Sequence, residues 1–291
     1  MRRVVIIGAG QAGQTLGRLL NRSGRYKVTA VWSRKLKNAS AAARFIGKCA
    51  MVYKDKASAA QQGGIIFITT PDSAIQNTCR EIFSSGRKCQ DKIVIHCSGS
   101  QPSAILKDAR KGRNNCIASL HPLQTFANKA ETAREFKGTY CVYEGEPRAL
   151  VVVKDIIRAL GGIPVMIKAK DKMLYHIGCV FASNYLVTLI KTAKDFLKQC
   201  GLNDKDILRA IKPLVDSSVN NIMTIGIPKA LTGPVSRGDT LTIRNHLKAI
   251  RKGMKHYLAL YRELGWHTIG IALDKGSINK SQGVRLREKL G

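Results

Sequence analysis

The chain has 291 residues, 44% of them hydrophobic, which is enough for one large domain or two ordinary ones. Its 49 Lys and Arg against 19 Asp and Glu give a formal charge of +30, a balance that suits an anionic partner and leaves few acids for carboxylate-pair hydrolysis. Eight scattered cysteines form no C-x-x-C pair and no cluster with zinc spacing, which argues against a disulfide framework or a structural metal. No uninterrupted apolar run approaches the ~20 residues of a membrane span. Arg2-Arg3 is followed only by Val4 to Ile7 before glycine, too short a run for a signal peptide. The expectation is a cytoplasmic protein with reduced thiols and no membrane partner.

Strands and helices alternate up to residue 168. "RVVIIGAG" reads as a fully buried strand, apolar without alternation, and residues 11–23 as a helix. "KVTAVWS" is a second strand, "ASAAARFIG" a helix, "CAMVY" a short third strand and "GGIIFITTPD" a fourth. "DSAIQNTCREIFSS" is a helix that Asp72 or Ser73 is placed to cap. "KIVIHCSGS" and "CIASLHPLQ" are further strands, and "GTYCVYEG" and "GIPVMIKA" flank a helix over 147–160. Alternating units of this length predict an α/β fold, a Rossmann-type, doubly wound, mainly parallel sheet with helices on both faces.

After residue 168 the strands stop. One helical pattern runs from Lys170 to Gly201 and others follow, one of them expected to kink or break near Pro213. The tail from Asp274 reads as loosely ordered and basic. The sequence thus divides into 1–168, a Rossmann dinucleotide-binding domain, and 169–291, an all-helical domain.

Gly8, Gly10 and Gly13 follow the first strand and open a helix, the context in which G-x-G-x-x-G binds a dinucleotide. The glycines permit a tight turn and close approach of a pyrophosphate, with Gln11 and Ala12 offering helix N-terminal N–H groups. An NAD site places an acid at the end of the second strand; here Ser33-Arg34-Lys35 stands there, which favours the 2′-phosphate of NADP(H). "TTPD" (69–72), "HCSGS" (96–100) and "HPLQTF" (121–126) end three successive strands, so Thr69, Thr70, Pro71, Ser98 and His121 rim one crevice on the nicotinamide side. No P-loop and no G-x-S-x-G elbow is present.

With "HPLQTF", "YHIGCVFASNYLV" and "ALTGPVSRGDT" in this order behind a Rossmann domain, the chain resembles bacterial Rossmann-like proteins with a C-terminal domain of unknown function 2520, over residues 1 to about 270. That family is similar in plan to pyrroline-5-carboxylate reductase, the deazaflavin-dependent NADP reductases and the β-hydroxyacid dehydrogenases. The resemblance implies an NADP-linked reductase, dimeric through its helical domain, and implies no substrate.

Hydride transfer to C=O or C=N leaves charge that a proton donor must neutralise. Lys172, His176, Cys179 and Ser183 share one helical stripe, with Asn184 beside it. The β-hydroxyacid dehydrogenases, which this segment resembles, use a Lys with an Asn four residues on. Here His176 occupies that offset and Asn184 lies further along, so either Lys172 or His176 is the expected donor. In "ALTGPVSRGD" (230–239), Asp239 or Thr240 can cap the next helix. Thr232 and Arg237 are left as substrate contacts, together with Ser183, and Arg237 suits a carboxylate or phosphate.

The expected function is NADP(H)-dependent hydride transfer to or from a small anionic carbonyl or imine compound, in a homodimer. The charge suggests an alternative, a non-catalytic NADP(H)-sensing or nucleic-acid-binding regulator on the same scaffold. No helix-turn-helix or stacking platform accompanies that charge, so nucleic acid is the less favoured partner.

Overall fold

The computed structural model describes all 291 residues, in two compact units, Met1–Ala182 and Ser183–Gly291. The first is built on eight strands: β1 (Arg2–Ile7), β2 (Tyr26–Trp32), β3 (Met51–Val52), β4 (Ile65–Ile68), β5 (Ile93–His96), β6 (Cys116–Pro122), β7 (Tyr140–Gly145) and β8 (Ile163–Met166). Their order across the sheet is β3-β2-β1-β4-β5-β6-β7-β8. All neighbours run parallel except β6 and β7. The helices of this unit are α1 (Gln11–Arg22), α2 (Leu36–Ile46), α3 (Lys56–Ala60), α4 (Asp72–Phe83), α5 (Lys129–Glu135), α6 (Pro147–Ala159) and α7 (Lys172–Ala182), with a 3-10 segment over Ser103–Lys111.

The continuous apolar strands are explained by burial on both faces. Val4, Ile6, Phe67, Ile95 and Leu120 pack into one core, while Val5, Ile7, Ile66, Ile68, Val94 and Ile117 pack into another. Alternate residues of one strand therefore serve opposite layers. The strand order reverses between β1 and β4, and the crevice at that switch point lies at the carboxyl ends of the strands.

The second unit contains α8 (Asn184–Gln199), α9 (Asp204–Ile225), α10 (Ile227–Ala230), α11 (Thr240–Gly253), α12 (Leu258–Asp274) and α13 (Lys280–Leu290). Its core joins Ile243 and Leu247 of α11, Ile269 and Ala272 of α12, and Leu286 and Leu290 of α13. Asp239 caps α11 by accepting from Thr242 N at 2.9 Å.

Several expectations are corrected. The tail is not loose: Asn279 and Gln282 form a reciprocal capping box that starts α13. Neither Asp72 nor Ser73 caps α4; Pro71 takes the cap position, and the Asp72 carboxylate accepts from Ser98 Oγ at 2.6 Å instead. Pro213 lies inside α9 without ending it, on an exposed stretch where water can satisfy the carbonyl it strands. The long helical pattern breaks at Ser183, so the stripe from Lys172 ends at Cys179. The compact units divide at Ala182/Ser183 and not at Ala169, where the strands stop, because α7 is tied back to the sheet. The stretch Ala169–Gln199, with a mean hydropathy of 1.5 over its most apolar window, is long and apolar enough to cross a membrane. Counting only uninterrupted apolar residues overlooked it. Its Lys172 is buried and hydrogen-bonded to the sheet of the first unit.

Candidate functional site

The glycine turn is clamped on the end of β4. Gly8 has φ +120°, and a Cβ there would lie 2.6 Å from the Thr69 carbonyl carbon. A Cβ on Gly13 would come within 2.4 Å of Gly8 O and Thr69 Oγ1. Thr69 seals the contact, its N donating to Ile7 O and its Oγ1 to Gly8 O, both at 2.8 Å. Gly10 differs, since nothing lies within 4 Å of its Cβ position. It is the N-cap of α1, with no side-chain cap and no acid in the first turn. Around exposed Gln11 and half-buried Ala12 the helix therefore keeps free N–H groups and open space, which is what a pyrophosphate needs. Beside this cradle Thr70 Oγ1 is buried without a hydrogen-bond partner, and Pro71 is exposed.

At the end of β2, Ser33 is half-buried and Arg34 and Lys35 are exposed. The first turn of α2 that follows carries no acid. This rim would accept a phosphate on the adenosine ribose and offers no carboxylate for a bare 2′-hydroxyl.

Deeper in the crevice, Lys172 is 1% exposed at the start of α7. Its Nζ donates to Ser98 O at 3.0 Å and to Ser119 Oγ. Ser98 lies in the loop just after β5, and Ser119 is on β6. Burial lowers the Lys172 pKa to about 8, against the opposing pull of the Glu144 carboxylate. Ser98 Oγ and Ser100 Oγ both donate to Asp72, which fixes the loop whose carbonyl holds Lys172.

Above β6, His121 Nδ1 and the Tyr175 hydroxyl are 2.6 Å apart. Burial, helped by Lys172, pushes His121 down to about 4, and the same causes push His96 to about 3, so both imidazoles are neutral at pH 7. Burial pushes the Tyr175 phenol up, so it stays protonated at neutral pH. Gly99 packs edge-on to both rings: a Cβ there would lie 2.7 Å from His176 Nδ1 and 3.0 Å from His121 Nε2. His176 Nδ1 is buried without a partner. Gly99→Ala is therefore expected to splay the two imidazoles and lower kcat about 10- to 100-fold. Unchanged kcat would show that their spacing is unimportant.

The structure thus brings Ser98, His121, Lys172 and His176 into one cluster, and the glycines and Thr69–Pro71 into a cradle. Ser183, Asn184, Thr232 and Arg237 belong to the second unit. Ser183 is the non-helical residue before α8, and Asn184 is the first residue of α8. Thr232 and Arg237 are exposed in a turn held by Arg237 N and Asp239 N, both donating to Pro234 O. Sequence reasoning missed Ser119, Asp72 and Tyr175. Ser119 was findable, lying two residues before His121 and so on the same strand face.

Comparison with known proteins divides the chain earlier than the compact units do. Residues 3–100 match the family described as NADP oxidoreductase, coenzyme F420-dependent, and residues 139–268 match domain of unknown function 2520 (DUF2520). The amino-terminal match is thus to an NADP oxidoreductase domain and the carboxyl-terminal match to DUF2520. Among solved structures, the chain is similar to protein TM1727 from Thermotoga maritima, at 25% identity over 94% of this chain and 99% of that one, with a TM-score of 0.71. It is also similar to BF3122 from Bacteroides fragilis, a protein proposed to be an NADP oxidoreductase, at 23% identity over 92% and 97%, TM-score 0.74. Plasmodium falciparum pyrroline carboxylate reductase, solved with NADP bound, shares the fold at 15% identity over 100% and 98%, TM-score 0.58. A search of curated proteins finds no match.

Proposed function

We propose that this oxidoreductase transfers hydride between NADP(H) and the carbonyl or imine carbon of a small anionic compound, with Lys172 as the proton donor. The observation that carries the reading is an ammonium buried at the carboxyl ends of β5 and β6, held by Ser98 and Ser119. NADPH, when bound, supplies the hydride. Gly8, Gly10, Gln11, Ala12 and Gly13 would hold its pyrophosphate, Ser33, Arg34 and Lys35 its 2′-phosphate, and Thr69, Thr70, Pro71, Ser98 and His121 its nicotinamide side.

The Lys172 ammonium has three donors, and two are committed to Ser98 O and Ser119 Oγ. The third is left for the substrate heteroatom that gains charge as its carbon is reduced. With a pKa lowered to about 8, the group is protonated at neutral pH yet gives its proton up readily. His121 and His96 are held neutral and cannot serve as imidazolium acids. His121 is held through Nδ1 by the Tyr175 hydroxyl, and His176 lies beside it. Arg237 is proposed to take the substrate's anionic group, with Thr232 and Ser183 as further substrate contacts and Asn184 as a second polar group at the reacting centre.

The proposed assembly is a cytoplasmic homodimer formed through the helices. Its support is a run of exposed apolar side chains, among them Leu174 at 72%, Phe181 at 64% and Met223 at 79%.

The test is a titration with NADPH and NADH by nicotinamide fluorescence, at low salt and at about 0.3 M salt, where screening removes diffuse attraction. NADPH is expected to bind at both salts and NADH far more weakly. Arg34→Ala should cost NADPH about 10- to 100-fold and leave NADH unaffected, as loss of one charge-assisted contact to the 2′-phosphate requires. Equal affinity of the variant for NADPH would remove Arg34 from the site.

A further inference from the structure

The cofactor cradle occupies the carboxyl ends of the strands. At the opposite, amino end of the sheet is a cavity of about 380 Å³ lined by Arg2 and Arg3 of β1, Arg148 of α6 and Asp91 before β5. A second cavity of about 510 Å³ shares Arg2 and adds Arg25 and Asp155. Both acids are engaged. Asp155 pairs with Arg25 at 2.5 Å and accepts from the Tyr26 hydroxyl at 2.6 Å. Asp91 accepts from Asn114 Nδ2 at 3.0 Å. Arg2, Arg3 and Arg148 have no carboxylate at ion-pair distance. Arg148 is steered by its Nη1, which donates to Asn114 O at 3.1 Å.

Arg148 lies in the first turn of α6, whose N-cap is Glu146; that carboxylate is paired with Arg110 at 2.8 Å. Arg2, Arg3 and Arg148, none of them at ion-pair distance from a carboxylate, line a cavity of a size that suits a phosphate chain, whose oxygens a guanidinium can engage bidentately. One dinucleotide at the other end of the sheet also leaves most of the +30 charge without a partner.

We infer that the amino-end cavity formed by Arg2, Arg3 and Arg148 is a second anion site, which binds a small di- or triphosphate-bearing ligand independently of the NADP(H) cradle.

The experiment is calorimetric titration of inorganic tripolyphosphate into the full chain saturated with NADPH, at about 0.15 M salt to screen diffuse attraction. Single-site binding is expected, weakened at least ~10-fold by the double variant Arg3→Gln/Arg148→Gln. Both side chains are exposed, and a thermal melt checks that the variant is folded. A control, Lys248→Gln/Lys252→Gln on α11, removes the same charge elsewhere and should leave the affinity unchanged. Equal weakening by the control, competition with NADPH, or binding of an RNA oligomer but not of tripolyphosphate would each overturn the inference. If the chain bound no NADPH, the cofactor reading would fail by itself. The same variant pattern on the cofactor-free protein would still support the second site.

Discussion

Lys172→Met is expected to abolish turnover without unfolding the protein. Loss of a positioned proton donor costs roughly 10²- to 10⁴-fold in kcat. The stability terms nearly cancel. Folding lowers the Lys172 pKa from 10.5 to about 8. A depressed lysine pKa disfavours the folded state wherever the unfolded amine is charged. The cost is fully present below pH 8, shrinks as pH rises from 8 to 10.5, and vanishes above that. At pH 7 it amounts to about 3 kcal/mol, which the methionine removes. Against this, Ser98 O and Ser119 Oγ each lose a donor, at about 1–3 kcal/mol. The variant should therefore melt close to the wild type, bind NADPH normally and fail to turn over. Activity within tenfold of wild type would exclude Lys172 as the donor. The pH profile is a second reading of the same group. Wild-type reduction should fall tenfold per pH unit above about 8, the reverse oxidation should rise toward that pH, and the variant should show neither limb.

The second large effect separates two glycines of one turn. Gly10 has φ −71° and ψ 178°, a conformation open to any residue, with nothing within 4 Å of its Cβ position. Gly10→Ala should leave the melting temperature within about 1 kcal/mol of wild type in stability terms and weaken NADPH binding about 10- to 100-fold, because the methyl takes the space of the approaching pyrophosphate. Gly8→Ala meets φ +120° and a backbone carbon at 2.6 Å, and should cost about 3 kcal/mol of stability before any cofactor is added. Thermal melts beside NADPH titrations check both. A Gly10→Ala protein with wild-type affinity would place the pyrophosphate elsewhere.

The first half of the fold was legible because buried parallel strands are continuous apolar runs, and each of the eight strands is where the sequence put it. Strand direction was not legible: "GTYCVYEG" carries the same side-chain pattern whichever way it runs, so the reversal at β7 left no mark. The break at Ser183 was hidden for a similar reason, since helical periodicity on both sides of one residue reads as a single helix. The final helix was available in the sequence, as Asn279 followed three residues on by Gln282. Of the site, Lys172 and His176 were visible as a stripe at helical spacing. The contacts that tie this helix to the sheet, Lys172 with Ser119 and Tyr175 with His121, join elements whose neighbours only the tertiary fold decides.

The unequal cores of the two units bear on how the chain unfolds. Helix α8 buries none of its residues, and α9 buries only Ile207 across Asp204–Ile225. Most helical stability in proteins comes from packing of an apolar face, and in the proposed dimer the apolar faces of α8 and α9 would be covered by the second copy. Folding of this half then becomes a bimolecular equilibrium. Its melting temperature should climb with protein concentration, by mass action, while the sheet unit melts at one temperature throughout. Dilution alone should uncouple the two transitions, and a calorimetric profile independent of concentration would speak for a self-sufficient monomer.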